Sequence, residues 1–307
     1  ESGPLERARF VQTGTGLNTC QQGPQLAHMA RHYPEFIDRA ATAFHCKDWL
    51  YFNFTGIRAT DPSEVSFTFG DFRTRDYCDI VIEALGLTKY RHLFPDVIDG
   101  TMTTHALTKD AAAEIGLMEG TPVCLGYVDM IMTGFGAGVY SGEPDIACSA
   151  IGSTGVHMMA KHASDVTLGT DHTGYVLCIP HEDFVAQSQT NMAATLNIDW
   201  ILALAADLIG EFGPQPSHAE LIDRLDGWLE NSQPASLIYH PYISDAGERG
   251  PFVDPNARAS FVGLSANHRF PDLVRAIVEG LGRAARDCYW TMGARPRELR
   301  ITGGGAR

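Results

Sequence analysis

Short apolar runs alternate with amphipathic stretches along this chain, and that alternation sets the expected fold. Residues 24–39 and 47–55 carry apolar side chains at helical spacing. Residues 72–85 read as another helix, 87–93 as a short turn-containing piece, and 110–116 as a short helix ended by glycine. Residues 121–128 form an apolar run rich in β-formers, which predicts a buried strand. It runs into Asp129 and a glycine-rich helix over 130–139. Strands are expected at 146–151 and 156–160, joined by Gly152-Ser153-Thr154-Gly155, with a meander continuing through 173–180 and 184–190. Helices are expected at 197–212 and 218–231, on either side of Gly213-Pro214. A long helix over 271–292 lies between strands at 237–243 and 299–302. Strands alternating with helices make the class α/β. The turn Ser141-Gly142-Glu143-Pro144 is the expected boundary between two domains, 1–142 and 143–307.

Composition narrows the partners. The 307 residues suffice for two domains, with 44% hydrophobic and 20% charged residues. A formal charge of −14 argues against nucleic acid, which needs a basic surface. It leaves a single nucleotide possible, because one nucleotide needs only a local cradle of N–H groups and a metal. The cysteines are Cys20, Cys46, Cys78, Cys124, Cys148, Cys178 and Cys288, odd in number and without a C-x-x-C pair. They read as reduced thiols of a cytoplasmic protein. The apolar stretch 198–212 is too short for a membrane span and is interrupted by Asp199, Asp207 and Glu211. His157, His172, His181 and His240 lack metal-ligand spacing, so no metal is assigned to protein side chains. The chain starts at Glu1 and stops two residues after Gly305, and is expected to be the middle of a longer protein.

Four segments carry candidate chemistry. Gly152-Ser153-Thr154-Gly155 can aim backbone N–H groups and two hydroxyls at one point, which suits a phosphate, although small-residue turns are commonly structural. Asp129, at the end of an expected strand, reads either as a carboxylate facing a ligand crevice or as a helix cap. Gly303-Gly304-Gly305-Ala306 follows a strand and reads as a loop or as a close approach to a flat ring. Asn18, Thr19, Gln21 and Gln22 form a neutral hydrogen-bonding cluster, which reads as a polar surface loop or as a set of groups suited to a neutral polyhydroxyl ligand.

The stretch from Gly247-Glu248-Arg249-Gly250-Pro251 through Asp254-Pro255-Asn256-Ala257-Arg258 then changes the picture. It continues through Ala259, Phe261 and Gly263-Leu264 to Asp272-Leu273 and Ala276-Ile277-Val278-Glu279. Residue by residue this order resembles the second signature of the FGGY carbohydrate kinases. Upstream, Gly23-Pro24-Gln25-Leu26, Lys47-Asp48-Trp49-Leu50 and Thr55-Gly56 resemble the end of that family's first lobe, with Gln25 where lysine is usual and His28 where tryptophan is usual.

The resemblance implies a two-lobed ribonuclease-H-like, actin-like ATPase fold, here truncated at both ends, with ATP, Mg²⁺ and a sugar meeting in the cleft between lobes. Residues 1–142 would be the remainder of the substrate-side lobe and 143–307 the incomplete nucleotide-side lobe. The family's opening Asp-x-Gly-Thr phosphate turn has no counterpart here, which would leave the chain as given inactive. Asp129 would be the base that accepts the substrate hydroxyl proton, and Met130 stands where an amide is frequent. Gly152, Ser153 and Thr154 would hold the phosphates, and Gly304, Gly305 and Ala306 the adenine. Asp199 lies on an adenosine-contacting helix, although the family usually has glycine near Thr195 and glutamine near Asp199. Asn18, Thr19 and Gln22, with Asp129 and Met130, would line the substrate.

Three stretches are similar to the branch that phosphorylates erythritol: 13–23, 45–51 and 126–129. The implied reaction is transfer to a terminal hydroxyl of a small neutral polyol. A ketopentose or glycerol kinase, a non-kinase actin-like nucleotide-binding protein and an inactive sugar-binding scaffold are the alternatives. A small-molecule partner is expected, with no nucleic acid, no membrane and a possible homodimer.

Overall fold

The computed structural model describes residues 4–17, 19, 21–140, 145–293 and 295–306, and the fold is α/β. The chain divides into two compact units, residues 1–142 with 159–187 and residues 143–158 with 188–307. The division cuts two long strands, Gly155–His162 and Phe184–Asn191.

The first unit is mainly short helices with small two-stranded ladders. Ala59–Thr60 pairs in parallel with Asp96–Val97, and Thr104–Ala106 antiparallel with Pro122–Cys124. One core gathers Ile37, Phe69, Ile82, Leu87 and Leu93; another gathers Tyr127, Ile131, Leu177 and Ile179. Helix Pro62–Thr68 packs on strand Tyr175–Cys178, where the Cys178 N–H donates to Ser66 Oγ at 3.0 Å.

Three expectations for this unit need correction. The helix expected over 24–39 breaks into Gln22–His32 and Pro34–Ile37, because Tyr33 precedes proline and cannot hold helical angles (φ −138°, ψ 49°). The helix expected over 72–85 is a hairpin of Gly70–Asp71 with Asp76–Tyr77, followed by helix Asp79–Ala84. Arg75 takes φ 60° and its N–H bonds back to Asp71 O at 2.9 Å, which closes the turn. The buried strand expected over 121–128 is only Pro122–Cys124, and its residues are not buried. Residues 125–128 are irregular: Leu125 packs with Tyr51 and Ala59, and Tyr127 with Ile131. An apolar run reports burial but does not distinguish a strand from an irregular buried segment.

In the second unit, Glu298–Thr302 pairs in parallel with Ile146–Ile151, Glu298 opposite Ile146 and Thr302 opposite Ala150. Ile146–Ile151 neighbours the start of Gly155–His162, which neighbours the end of Phe184–Asn191. Helices Thr195–Gly210 and Phe270–Thr291 share a core of Ile201, Leu202, Tyr239, Val274 and Ile277. The helix expected over 218–231 is two, His218–Ile222 and Leu225–Glu230. The ladder tightens between them, where Arg224 N–H reaches only back to Leu221 O.

Leu202 is fully buried, whereas Leu208 on the same helix is 64% exposed. Leu202→Ala is expected to cost about 2–5 kcal/mol in urea unfolding, through lost burial plus a cavity. Leu208→Ala is expected to cost less than about 1 kcal/mol. Equal costs would refute this assignment of the core.

Candidate active site

Asp129 is the first residue of helix Asp129–Gly136, and Val128 is the capping residue. Its Oδ1 accepts the Met130 N–H at 2.7 Å. Its Oδ2 has no partner among the described residues, and the side chain is exposed. The carboxylate therefore serves the first helical turn with one oxygen and leaves the other free. Met130 is half-buried against the cluster around Tyr127 and Ile131. Asn18 lies outside the described residues. Thr19 is exposed, and its carbonyl accepts from the Gln25 amide at 3.2 Å. Gln22 opens helix Gln22–His32 and is half-buried. Gln21 is buried and donates to Gly16 O at 3.1 Å and Phe67 O at 2.8 Å, so its amide serves the fold.

The segment before Asp129 is held on two sides. The Tyr127 hydroxyl donates to Asp99 Oδ2 at 2.9 Å and accepts from Arg75 at 3.0 Å. Burial pushes that phenol's pKa up, so it stays protonated. On the other side the Val128 N–H donates to Ser63 Oγ at 2.8 Å.

Ser63 belongs to a buried charged cluster that sequence reading missed. Asp61 caps helix Pro62–Thr68, accepting from the Ser63 N–H at 2.9 Å and from the Ser63 hydroxyl. Its other oxygen takes the Lys47 ammonium, which also donates to Asp48 at 2.8 Å. Asp48 further accepts from Thr60 Oγ1 at 2.8 Å and meets His45 Nδ1 at 3.1 Å. His45 Nε2 lies 3.4 Å from Glu64 Oε2 without hydrogen-bond geometry. Burial alone would push the His45 imidazole down, but the Asp48 hydrogen bond and the charges of Glu64 and Asp48 outweigh it and hold the pKa up. Burial likewise opposes the Lys47 charge, and Asp61, Asp48 and Glu64 reverse that. Burial raises Glu64, with His45 and Lys47 opposing. Asp48 is lowered: burial would raise it, but His45 and Lys47 prevail. The available signal was the triplet Asp61-Pro62-Ser63, a cap followed by proline at the first helical position.

In the second unit the expected nucleotide residues come together. The turn after Ile146–Ile151 is closed by Gly152 N–H to Thr154 O at 3.0 Å. Ser153 and Thr154 are exposed, and among the described residues neither hydroxyl has a partner. The start of helix Thr195–Gly210 is tied to this turn. The Ala194 N–H donates to Ser153 O at 2.7 Å, and the Thr195 N–H and Oγ1 donate to Gly152 O at 3.0 and 2.9 Å. The glycine turn after Glu298–Thr302 lies against the same strand end. Gly303 has φ +91°, and a Cβ there would sit 2.5 Å from Ile151 O. A Cβ on Gly305 would meet Ile151 Cγ2 at 2.6 Å and Thr195 Cγ2 at 3.1 Å, whereas Gly304 faces open space. Ala306 is exposed and ends the short 3₁₀ turn Gly304–Ala306. These groups sit at the carboxyl ends of parallel strands, where open α/β sheets bind ligands. Asp199, one turn along the helix, lies 2.9 Å from His218 Nε2.

Beneath the turn, Ser149 Oγ meets His157 Nδ1 at 2.8 Å and Tyr289 Oη at 3.0 Å. His157 Nε2 meets Asn191 Oδ1 at 2.8 Å, and Asn191 Nδ2 donates to Gly250 O at 2.9 Å. Gly250 O can only accept, which orients the Asn191 amide and puts the His157 proton on Nε2. Burial pushes the His157 pKa down, in keeping with a neutral ring.

Residues 5–136 match the N-terminal domain of the FGGY family of carbohydrate kinases, and residues 147–307 its C-terminal domain. Over 306 residues the chain is 61% identical to the erythritol kinase of Brucella abortus (strain 2308), covering 100% of this chain and 59% of that one. It is 28% identical over 301 residues to the xylulose kinase of Escherichia coli (strain K12), covering 97% of this chain and 58% of that one. Among solved structures, the xylulose kinase from Rhodospirillum rubrum superposes with a TM-score of 0.81 at 23% identity, covering 98% of this chain and 59% of that one. The Plasmodium falciparum glycerol kinase with ADP gives 0.78 at 18% identity, covering 98% and 58%. These structures share the fold. The chain spans less than two thirds of each relative's length.

The raised His45 pKa has a testable sign. Stability from the imidazolium is fully present below about pH 6.5, its unfolded value, and is lost as pH rises through the folded value. Glu64, also raised, acts in the same direction; Asp48, lowered, acts only in acid. Between pH 5.5 and 8, His45→Gln is expected to flatten the fall of the urea midpoint relative to wild type. An unchanged slope would remove His45 from the balance.

Proposed function

Because the chain belongs to the FGGY family of carbohydrate kinases, we propose that the protein transfers the γ-phosphoryl group of ATP to a terminal hydroxyl of a small neutral polyol, erythritol first. The 61% identity to an erythritol kinase over 306 residues carries the substrate assignment. Residues 1–142 act as the substrate-side part and 143–307 as the nucleotide-side part.

Asp129 is the general base. Its free Oδ2 accepts the hydroxyl proton as the alcohol oxygen attacks phosphorus. An alcohol is a weak nucleophile, so alignment and proton removal are what a side chain can contribute. Asn18, Thr19, Gln22 and Met130 border the polyol. This set carries no charge, which favours hydroxyl groups over a sugar acid or a sugar phosphate.

On the nucleotide side, Ser153 and Thr154 offer N–H groups and two unpartnered hydroxyls to phosphate oxygens, and Gly152 closes the turn that presents them. Gly304, Gly305 and Ala306 border the adenine, with Asp199 beside the ribose. Gly303 and Gly305 pack against Ile151 so closely that side chains are excluded, leaving a flat approach to the turn. The donors around the turn are hydroxyls and amides, which fits phosphate oxygens. Mg²⁺, entering with the phosphates, supplies charge neutralisation.

The decisive assay measures ADP release by the full-length protein with erythritol, glycerol, xylulose and a four-carbon sugar acid. The highest kcat/KM is expected for erythritol; preference for the acid or the ketopentose overturns the substrate. Asp129→Asn is expected to lower kcat about 10²–10⁴-fold with ATP affinity nearly unchanged. Near-normal turnover would leave Asp129 as a first-turn residue alone.

Gly304 offers the cleaner probe of the adenine, since a side chain at Gly305 would strike Ile151 and Thr195 whether or not a nucleotide binds. Gly304→Val is expected to weaken ATP binding by titration calorimetry while leaving the melting temperature within a few degrees. Equal ATP affinity in both proteins would count against an adenine site at this turn.

A further inference from the structure

Asp129 begins a short helix whose capping residue, Val128, has no side chain able to cap. The Val128 N–H is instead held by a hydroxyl from another helix, Ser63 Oγ at 2.8 Å. The direction of each hydrogen bond around Ser63 is fixed by chemistry. A backbone N–H can only donate, so Ser63 Oγ accepts from Val128 and its own proton goes to Asp61 Oδ1. That oxygen also takes the Ser63 N–H at 2.9 Å. The other oxygen of Asp61 takes the Lys47 ammonium. Asp61 thus receives three donors. Asp61 and Ser63 are both fully buried, so water cannot replace either partner. The chain of contacts runs from Lys47 through Asp61 and Ser63 to the peptide immediately before Asp129.

We propose that Lys47, Asp61 and Ser63 are positioning residues for Asp129, holding its helix entry so that the free carboxylate oxygen meets the substrate hydroxyl. The proposal rests on Asp129 being the base. An N-cap aspartate ordinarily satisfies its own helix, and this one does so through the Ser63 N–H. The Ser63 hydroxyl carries that constraint to a second helix. Displacing Val128 moves the next Cα directly, and misplacement by about 1 Å costs on the order of 100-fold in rate.

The test is a double-mutant cycle in the full-length protein with ATP and erythritol. Ser63→Ala, Lys47→Gln and Asp129→Asn are made singly, and each of the first two is combined with Asp129→Asn. Ser63→Ala is expected to lower kcat about tenfold or more, with KM for erythritol within about threefold, and to lower it less than twofold when Asp129 is already Asn. Lys47→Gln, whose side chain is partly exposed, is expected to follow the same pattern and carries the cycle should Ser63→Ala fail to fold, as judged by thermal melting. Equal losses in both backgrounds would mean a structural role and overturn the proposal, as would no loss at all. If Asp129→Asn itself turns over normally, the base assignment fails and the proposal with it, an outcome read from that single variant.

Discussion

In the first unit the Lys47 ammonium sits between the Asp48 and Asp61 carboxylates, and helix Cys46–Thr55, strand Ala59–Thr60 and helix Pro62–Thr68 meet around it. Removing one partner would leave a buried charge uncompensated, which typically costs about 3–5 kcal/mol. The cluster holds more carboxylates than cations, so it needs the His45 charge as well. That need explains why a half-hidden imidazole is held above its ordinary pKa despite burial. The geometry of the Asp129 segment follows from this balance, because the Asp61 cap that orders Pro62–Thr68 also takes the proton of the Ser63 hydroxyl that grips Val128.

The second unit solves a different problem, bringing two turns against one strand end. Parallel pairing of Glu298–Thr302 with Ile146–Ile151 places both turns at the same edge. Side chains would then collide, and Gly303 and Gly305 remove the collision with Ile151. The contact is therefore glycine backbone against Ile151, with exposed hydroxyls left at its rim. The buried Ser149–His157–Asn191 chain lies on the adjoining strands, where a neutral ring with both nitrogens engaged supports the turn without adding charge.

Much of the second unit was legible because its apolar runs are long and bounded by strong punctuation. The strand Ile146–Ile151 and the helices Thr195–Gly210 and Phe270–Thr291 lie within two residues of their sequence-derived bounds. Local contacts decide such elements. The glycine turns were legible for the same reason: few residues other than glycine accept φ near +91°. The first unit resisted reading. Its ladders of two or three residues are too short to show alternation, and within the run 121–128 Leu125 is buried by Tyr51 and Ala59 and Tyr127 by a cluster that includes Leu177 and Ile179, all far away in sequence. Helix Pro62–Thr68 went unseen because its buried positions include Ser63, Glu64, Ser66 and Thr68. A hydrophobic pattern cannot announce a helix that buries polar groups, and the charged cluster was hidden with it.

The amides of Thr195, the first residue of helix Thr195–Gly210, and of its capping residue Ala194 are not left open toward solvent. They are spent on the carbonyls of Gly152 and Ser153. Each of those carbonyls shares a peptide unit with the next N–H, Ser153 and Thr154 respectively. A carbonyl that accepts a hydrogen bond draws electron density along its peptide and leaves the attached N–H more acidic. The positive end of the helix dipole is thereby relayed through two peptide bonds. The turn gains donors polarised through the backbone, in a protein whose net charge is −14.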